Sequence, residues 1–201
     1  MARVLFTVLC ALIAGERLLE LGWSRAHARR NAARGGTVVR EPVFPVMALL
    51  HAVVLIAAPA EAWLHRTSAP RALSLAALVV LATATGIRIW ALRTLGDAWS
   101  VRVTRFPDGE RPVVASGPYR YIRHPNYLAV ILELIALPLV GGAYLTAIGA
   151  TIANALILAA RIPLEERELA RDPGYVREMG YKPRFFPSLG SLGSGRSGAR
   201  T

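Results

Sequence analysis

At 201 residues the chain has the length of one domain, and 54% of its residues are apolar. The apolar residues come in long runs, which excludes an ordinary soluble protein and indicates an integral membrane protein. The net charge of +11 comes from arginines between the runs, so orientation in a membrane explains it better than a nucleic-acid surface. A single cysteine and four scattered histidines supply neither a disulfide nor a zinc framework, and we expect no metal site.

Five apolar runs predict an all-α bundle of about five transmembrane helices. The spans are expected near residues 2–21, 43–64, 72–92, 127–140 and 143–160. The charges of the first run come at its end and arginines follow it, so we interpret it as a membrane helix rather than a signal peptide. Residues 1–187 are interpreted as one membrane-embedded domain, and residues 188–201, rich in Gly and Ser, as a disordered tail.

The longest polar stretch, residues 93–126, separates the third run from the fourth. Within it, β-prone pieces at 100–104 and 112–115 predict a small hairpin. Arg88, near the end of the third run, is expected to snorkel to the membrane interface.

The arginines also predict the orientation of the chain. The links after the first and third runs and the tail are rich in arginine, whereas the links after the second and fourth runs are not. By the positive-inside rule, the N-terminus is expected outside the cell membrane and the C-terminus in the cytoplasm. The polar stretch and the tail then share the cytosolic side, where any soluble cofactor would have to enter.

Ionisable side chains interrupt the first two runs. Glu16 and Glu20 lie on one helix face beside Arg17, which predicts either an ion pair near the interface or a contact with a ligand. His51 in the second run either bonds within the bundle or faces the substrate. We take Glu16, His51 and Trp99 as candidate substrate-binding residues.

A first motif, at residues 116–127, reads Ser-Gly-Pro-Tyr-Arg-Tyr-Ile-Arg-His-Pro-Asn-Tyr and precedes the fourth run directly. Gly117 and Pro118 break any regular element, and Pro125 keeps His124 out of the helical region. Aromatic faces, fixed cations and an imidazole beside a helix N-terminus are suited to holding a polar ligand at the membrane edge. The alternative is a juxtamembrane loop whose arginines meet lipid phosphates and whose tyrosines form an interfacial belt.

A second motif, Arg161-Ile-Pro-Leu-Glu165-Glu166, ends the fifth run. Adjacent carboxylates repel each other, so this pair suits a ligand that carries an ammonium or a sulfonium. The alternative is a solvated helix start, where glutamate is common in the first turn after a proline.

Taken together, the motifs resemble the isoprenylcysteine carboxyl methyltransferase family. The resemblance covers residues 95–187, and the front half is similar to a bacterial branch that includes enzymes methylating the hydroxyl groups of long-chain alkylpyrones. The residues that carry it are Gly117, Pro118, Tyr119, Arg123, His124, Pro125, Asn126, Tyr127, Arg161, Glu165, Glu166, Tyr175 and Tyr181.

The resemblance implies S-adenosylmethionine as the cofactor, held in a cytosolic pocket that the C-terminal half forms. The implied cofactor-binding residues are Tyr119, Arg123, His124, Pro125, Tyr127, Glu165 and Glu166. We take Arg161 and His124 as the candidate catalytic residues. We expect the two motifs to meet at the inner leaflet.

The expected reaction is methyl transfer to a carboxylate or hydroxyl oxygen of a lipophilic acceptor, alkylpyrone-like or prenylcysteine-like, that enters from the bilayer. An acidic acceptor needs no base, whereas an ordinary phenol needs one, for which His124 and Glu16 are the candidates. Arg161 is expected to align the acceptor oxygen.

Two other functions compete with methyl transfer. Some membrane lipid and steroid reductases share the Arg-His-Pro-Asn-Tyr sequence and bind NADPH, but Glu165 and Glu166 would repel the phosphates of that cofactor. A non-enzymatic scaffold would bind no cofactor and would tolerate loss of His124.

Overall fold

The computed structural model describes residues 1–39, 42–65, 69–106 and 113–187. The predicted disordered tail, residues 188–201, lies outside the described residues. Short 3-10 turns lie at Gly96–Ala98 and Gly117–Arg120. The helices, in chain order, are α1 (Ala2–Ala33), α2 (Val43–Leu64), α3 (Arg71–Leu95), α4 (Pro125–Val140), α5 (Tyr144–Leu169) and α6 (Pro173–Met179).

The predicted all-α membrane bundle is confirmed. Among the described residues, α2, the segment Arg71–Ala98 and α5 are long and apolar enough to cross a membrane, and α4 is a shorter apolar helix. The count of five spans stays a prediction. Large apolar side chains cover the outside of these helices, as a surface facing lipid requires. Examples with more than half of their surface exposed are Leu49, Ile56, Leu75, Val79, Leu145, Ile148, Ile152 and Leu156.

Prolines and glycines set the ends of the helices. Pro125 occupies the first position of α4, where its missing N–H has no acceptor to lose. Gly142 adopts φ of 74° between α4 and α5, a conformation that favours glycine. A side chain at the preceding Gly141 would overlap the ring of Phe6 on α1. The α4–α5 hairpin therefore packs closely against the start of α1.

The two strands are short and do not form the predicted hairpin. Thr104–Arg105 (β2) pairs antiparallel with Thr37–Val38 (β1), and the N–H of Val39 donates to the carbonyl of Val103 at 2.9 Å. Residues 113–115 carry no strand. The hairpin prediction is wrong because β propensity identifies an extended segment, whereas the fold decides its partner. Here the chain leaving α1 supplies that partner.

Small residues let the helices approach closely at the end of the bundle that lies far from His124. Ala58, Ala62 and Ala136 are at most 2% exposed there and pack with Phe6 and Leu137. At the same end Glu61 of α2 accepts hydrogen bonds from the first turn of α5. We call the opposite end of the bundle, which holds His124, the motif end.

Glu61 joins α2 to α5. Its carboxylate accepts from the N–H groups of Leu145 at 2.9 Å and Thr146 at 2.8 Å, and from the Thr146 hydroxyl at 2.7 Å. A carboxylate at a helix N-terminus satisfies N–H groups that have no partner within the helix and offsets the positive end of the helix dipole.

Candidate active site

The first motif is held between α4 and residues 180–187, the segment after α6. We call this segment the C-terminal tail; it ends before the predicted disordered residues 188–201. The N–H of Arg123 donates to the carbonyl of Pro183 at 2.9 Å, and the N–H of His124 donates to the carbonyl of Arg184 at 3.0 Å. Lys182 Nζ donates to the carbonyl of Tyr119 at 2.8 Å. Backbone contacts with the tail therefore fix the loop that precedes α4.

The two motifs meet at the motif end, as the sequence predicts. His124 Nε2 lies 3.0 Å from Glu166 Oε1. The Tyr127 hydroxyl donates to Glu165 and accepts from Arg161 Nε at 2.6 Å. One tyrosine of α4 thus connects the arginine and the glutamate of α5.

The adjacent glutamates have different surroundings because successive side chains on a helix point about 100° apart. Glu166 is held by Arg184 at 2.6 Å, Arg123 at 3.2 Å and His124. This pairing with Glu166 raises the pKa of Arg184 above its usual value. Glu165 instead borders a cavity. Glu166 joins the loop to the tail and does not line this cavity, so the expectation that both carboxylates face one ligand stays a prediction.

The cavity has a volume of about 180 Å³. The predicted site residues that line it are His51, Trp99, Tyr119, Arg123, His124, Tyr127, Arg161 and Glu165. Pro125 is fully buried at the start of α4, and Glu16 lies outside the cavity lining with its carboxylate 3.6 Å from Arg17. The structure thus gathers most of the predicted residues from distant parts of the chain around one space.

The segment at residues 100–106 forms one wall, which the sequence did not predict. Arg161 Nη2 donates to the carbonyl of Val101 at 2.6 Å, and Arg105 donates twice to Glu168 at 2.7 and 2.9 Å. These bonds tie the wall to α5. In the sequence, the position of this segment in the polar stretch was the available indication that it lies near the site. That position did not reveal the contact with Arg161.

Tyr175 reaches the cavity from α6. The side chain of Asp172 caps this helix by accepting from the N–H groups of Gly174 at 2.7 Å and Tyr175 at 3.2 Å. Tyr181, the other tyrosine of the resemblance, is 77% exposed and does not line the cavity.

The cavity wall includes buried polar atoms that lack a partner. Asn126 Oδ1 and Arg123 Nε make no hydrogen bond with any described residue. Such atoms are rare in folded proteins because desolvation without a partner is costly. Burial raises the pKa of Tyr119, and the Glu165 charge raises it further, so this hydroxyl stays neutral at neutral pH. The space therefore offers a carboxylate, guanidinium N–H groups, an amide oxygen and uncharged aromatic faces.

Deeper in the bundle, farther from the motif end than Tyr127, a buried ion network joins three helices. Arg88 of α3 donates to both oxygens of Glu20, at 2.7 and 2.6 Å, and to Glu133 at 3.3 Å. Arg17 contacts the same two carboxylates at 2.6 and 3.1 Å. The ion pair expected around Arg17 is present, but as part of this larger network.

The expected snorkelling of Arg88 is wrong. Its side chain is 7% exposed and borders the cavity. Two carboxylates from α1 and α4 compensate its charge inside the bundle, so it has no need to reach the interface. Glu133 was not predicted as a partner of Arg88. It is an isolated acid in an apolar run, and that signal alone does not reveal its partner.

His51 borders the cavity near this network. Its Nδ1 lies 2.8 Å from the carbonyl of Met47, which accepts hydrogen bonds only. Nδ1 therefore carries a proton and donates to this carbonyl. The His51 bond is therefore made within α2, and its predicted contact with a substrate stays a prediction.

Comparison with known proteins agrees with this arrangement. The model of the isoprenylcysteine carboxyl methyltransferase family matches residues 75–171, which include both motifs. An uncharacterized Bacillus subtilis (strain 168) protein, YpbQ, is 30% identical over 165 residues, covering 82% of this chain and 96% of the relative. An uncharacterized Haemophilus influenzae protein is 30% identical over 161 residues, covering 80% and 92%.

A solved structure shares the fold. It is that of the eukaryotic intramembrane Ras methyltransferase, an isoprenylcysteine carboxyl methyltransferase, with a TM-score of 0.52 and 20% sequence identity over 70% of this chain. The chain spans 52% of the length of that enzyme. The family match, the two relatives and the common fold agree: the chain belongs to the isoprenylcysteine carboxyl methyltransferase family.

Proposed function

We propose that this protein is an S-adenosylmethionine-dependent methyltransferase that modifies an oxygen atom of a lipophilic acceptor at the membrane. The observation that carries the proposal is the Arg161–Tyr127–Glu165 chain of hydrogen bonds, which unites both motifs at the edge of one cavity. Membership in a family of methyltransferases supports it.

The cavity residues fit the cofactor group by group. Glu165 is the partner for an ammonium, and Arg123, with its unpartnered Nε, is the partner for a carboxylate. Tyr119 and Tyr127 present aromatic faces for the adenine and the sulfonium. S-adenosylmethionine, when bound, supplies a methyl group on a positively charged sulfur atom.

His124, Pro125 and Glu166 set the shape of the site. The His124 ring stacks on Tyr127, with centroids 5.3 Å apart, and its Nε2 bonds to Glu166. These contacts favour a positioning role for His124 over the role of a general base. Pro125 starts α4 and so fixes the direction in which Tyr127 leaves the loop.

The acceptor is assigned to the side of the cavity formed by His51, Trp99 and Arg161. Arg161 would align a carboxylate or hydroxyl oxygen of an alkylpyrone-like or prenylcysteine-like molecule, whose hydrocarbon chain enters from the bilayer. Glu16 lies outside the cavity lining and receives no role. In this proposal the protein lies in the cell membrane and its site faces the cytosol, where the cofactor is made.

A binding titration with purified full-length protein tests the cofactor. S-adenosylmethionine is expected to bind, and Glu165→Gln is expected to weaken it about ten- to a hundredfold, because a charged hydrogen-bond partner contributes about 1.5–3 kcal/mol. Glu178→Gln, at an exposed acid that pairs with its neighbour Arg177 and does not line the cavity, is the matched control.

NADPH is titrated in parallel. Binding of NADPH without S-adenosylmethionine would overturn the proposal in favour of a reductase, and binding of neither would favour a scaffold. If the cofactor binds, incubation of the protein with the isotope-labelled cofactor and extracted lipids, followed by mass analysis, identifies the molecule that gains a methyl group.

A further inference from the structure

A second cavity lies between α4 and α5, on the other side of the Tyr127 wall. It has a volume of about 330 Å³ and runs along α5 from Thr151 to Pro163, about 18 Å at the rise of an α-helix. Arg184 lies at its motif end. We call this space the α4–α5 groove.

An amide is buried in this groove. Asn154 is 3% exposed, and its Oδ1 makes no hydrogen bond with any residue that the structure describes. Asn154 lies about 18 Å along α5 from Glu166, inside the membrane-spanning part of the helix. A carbonyl oxygen without a donor is costly in an apolar medium, so a bound group that donates a hydrogen bond would be strongly favoured.

The groove is apolar around that amide and opens to the hydrocarbon of the bilayer. Leu158 and Ile162 form its floor, whereas Ala155 and Ala159 on its border are exposed. Because these border residues are small, the space between the helices stays accessible from the side of the membrane. A guest must therefore combine an apolar body with one hydrogen-bond donor at the depth of Asn154.

Only one layer of side chains separates the groove from the candidate active site. Leu158 and Ile162 pack against Tyr127, which borders the first cavity on its other face. The groove is nevertheless a separate site, since none of the residues that line it also lines the first cavity.

We propose that the α4–α5 groove binds a lipid whose hydrocarbon chain carries a hydroxyl group. The hydroxyl donates to Asn154 Oδ1, and the chain lies along Leu158 and Ile162. A plain alkyl chain would fill the volume but leave the amide oxygen without a donor. A water molecule would satisfy the amide but leave most of the apolar volume empty. Binding of this lipid to the α4–α5 groove requires neither a cofactor nor methyl transfer.

Photolabelling of full-length protein in detergent tests the site. The probe is a long-chain secondary alcohol with its hydroxyl in mid-chain and a diazirine near one end, and the matched probe is the alkane of the same length and label. The alcohol is expected to label groove residues such as Ile131 and Ala155 about tenfold better than the alkane, the effect of about one buried hydrogen bond.

Asn154→Leu is expected to abolish the preference for the alcohol while leaving the thermal midpoint without ligand unchanged or higher, because it removes an unsatisfied amide. A purely structural asparagine would give a lower midpoint and an unchanged preference, which overturns the proposal. Ala159→Leu narrows the groove with the amide intact and should also lose labelling. Ile148→Leu, on the exposed face of α5, is the control.

Equal labelling by both probes would reduce the groove to a nonspecific apolar surface and overturn the proposal. If a second copy of the chain covered the groove and protected it from both probes, the proposal would also be overturned. S-adenosylmethionine binding by Asn154→Leu is measured in the same preparation and is expected to match the wild type. A failure of the proposed methyltransferase function therefore remains distinguishable from a failure of the lipid site.

Discussion

Tyr127 connects the two motifs by direct contacts. Its hydroxyl accepts from Arg161 and donates to Glu165, while its ring stacks with His124. The hydroxyl and the ring therefore have separable roles. The hydroxyl fixes the charged groups at the cavity, and the ring supports the loop before α4.

Tyr127→Phe separates these roles. The stacking with His124 is retained, but Arg161 and Glu165 lose their common partner. S-adenosylmethionine affinity is expected to fall about ten- to a hundredfold, because hydrogen bonds to charged groups contribute about 1.5–3 kcal/mol. Calorimetric titration measures it. Tyr121→Phe, at a tyrosine of the same loop that does not line the cavity, is the control. Equal affinities of the two variants would contradict the role of the hydroxyl.

Lys182 makes the stability of the tail depend on pH. It is 7% exposed and donates to the carbonyl of Tyr119, and burial lowers its pKa. Between this lowered pKa and the ordinary value of about 10.4, the unfolded chain binds more protons than the folded one. The free energy of unfolding therefore rises with pH in that window.

The test compares the wild type with Lys182→Met, which keeps a long unbranched side chain but does not titrate. The midpoint of the wild type relative to the variant is expected to rise as the pH increases towards the ordinary lysine pKa of about 10.4, because the wild type is relieved of a buried charge. Thermal unfolding in detergent at several pH values measures the difference. A difference that is flat or falls with pH would show that the lysine is not desolvated in the fold.

At the scale of the helices, the sequence predicts local features well and distant partners poorly. The apolar run 43–64 coincides with α2 because hydropathy alone decides it. Arg88 and Glu20 lie 68 positions apart, so no local pattern reveals their bond, and the same holds for β1 and β2. At the site, most of the predicted residues line the cavity, although many other residues line it as well. The wall at 100–106 depends on tertiary contacts and was missed.

The buried ion network is expected to decide whether α1, α3 and α4 stay together. Arg88→Met leaves the buried carboxylates of Glu20 and Glu133 with Arg17 alone, which also contacts the partly exposed Glu16, and so adds one uncompensated negative charge inside the bundle. Removal of one partner from a buried ion pair costs about 3–5 kcal/mol, which is the loss of unfolding free energy expected here. Denaturant unfolding in detergent measures it.

The double variant Arg88→Met with Glu20→Leu removes one charge of each sign, so the network keeps the charge balance of the wild type. Most of the lost stability is expected to return, because an apolar replacement of both partners carries no unpaired charge. Arg93→Met, on the last turn of α3, is the control and is expected to change stability by about 0.5 kcal/mol or less. A double variant no more stable than Arg88→Met would show that packing, rather than charge balance, sets the loss.

At the scale of the whole molecule, the bundle has two unlike ends. One end is closed by alanines and by the Glu61 cap on α5, and the motif end carries the cavity, the tail and most of the charged contacts. In the proposed function, a soluble charged cofactor and a lipid acceptor would reach the motif end by different routes, through water and through the bilayer. The proposed function therefore requires the motif end to face the compartment that supplies the cofactor.

Single cysteines test this orientation. Cys10 is 2% exposed and the only cysteine, so Cys10→Ala gives a clean background. Ala33→Cys, at the end of α1, is expected inside, and Ala69→Cys, before α3, is expected outside. On intact cells an impermeant maleimide should label only Ala69→Cys, and permeabilisation should add Ala33→Cys. The reverse pattern would place the motif end outside, away from the cytosolic cofactor, and the site would then have to serve a ligand present on the outer face.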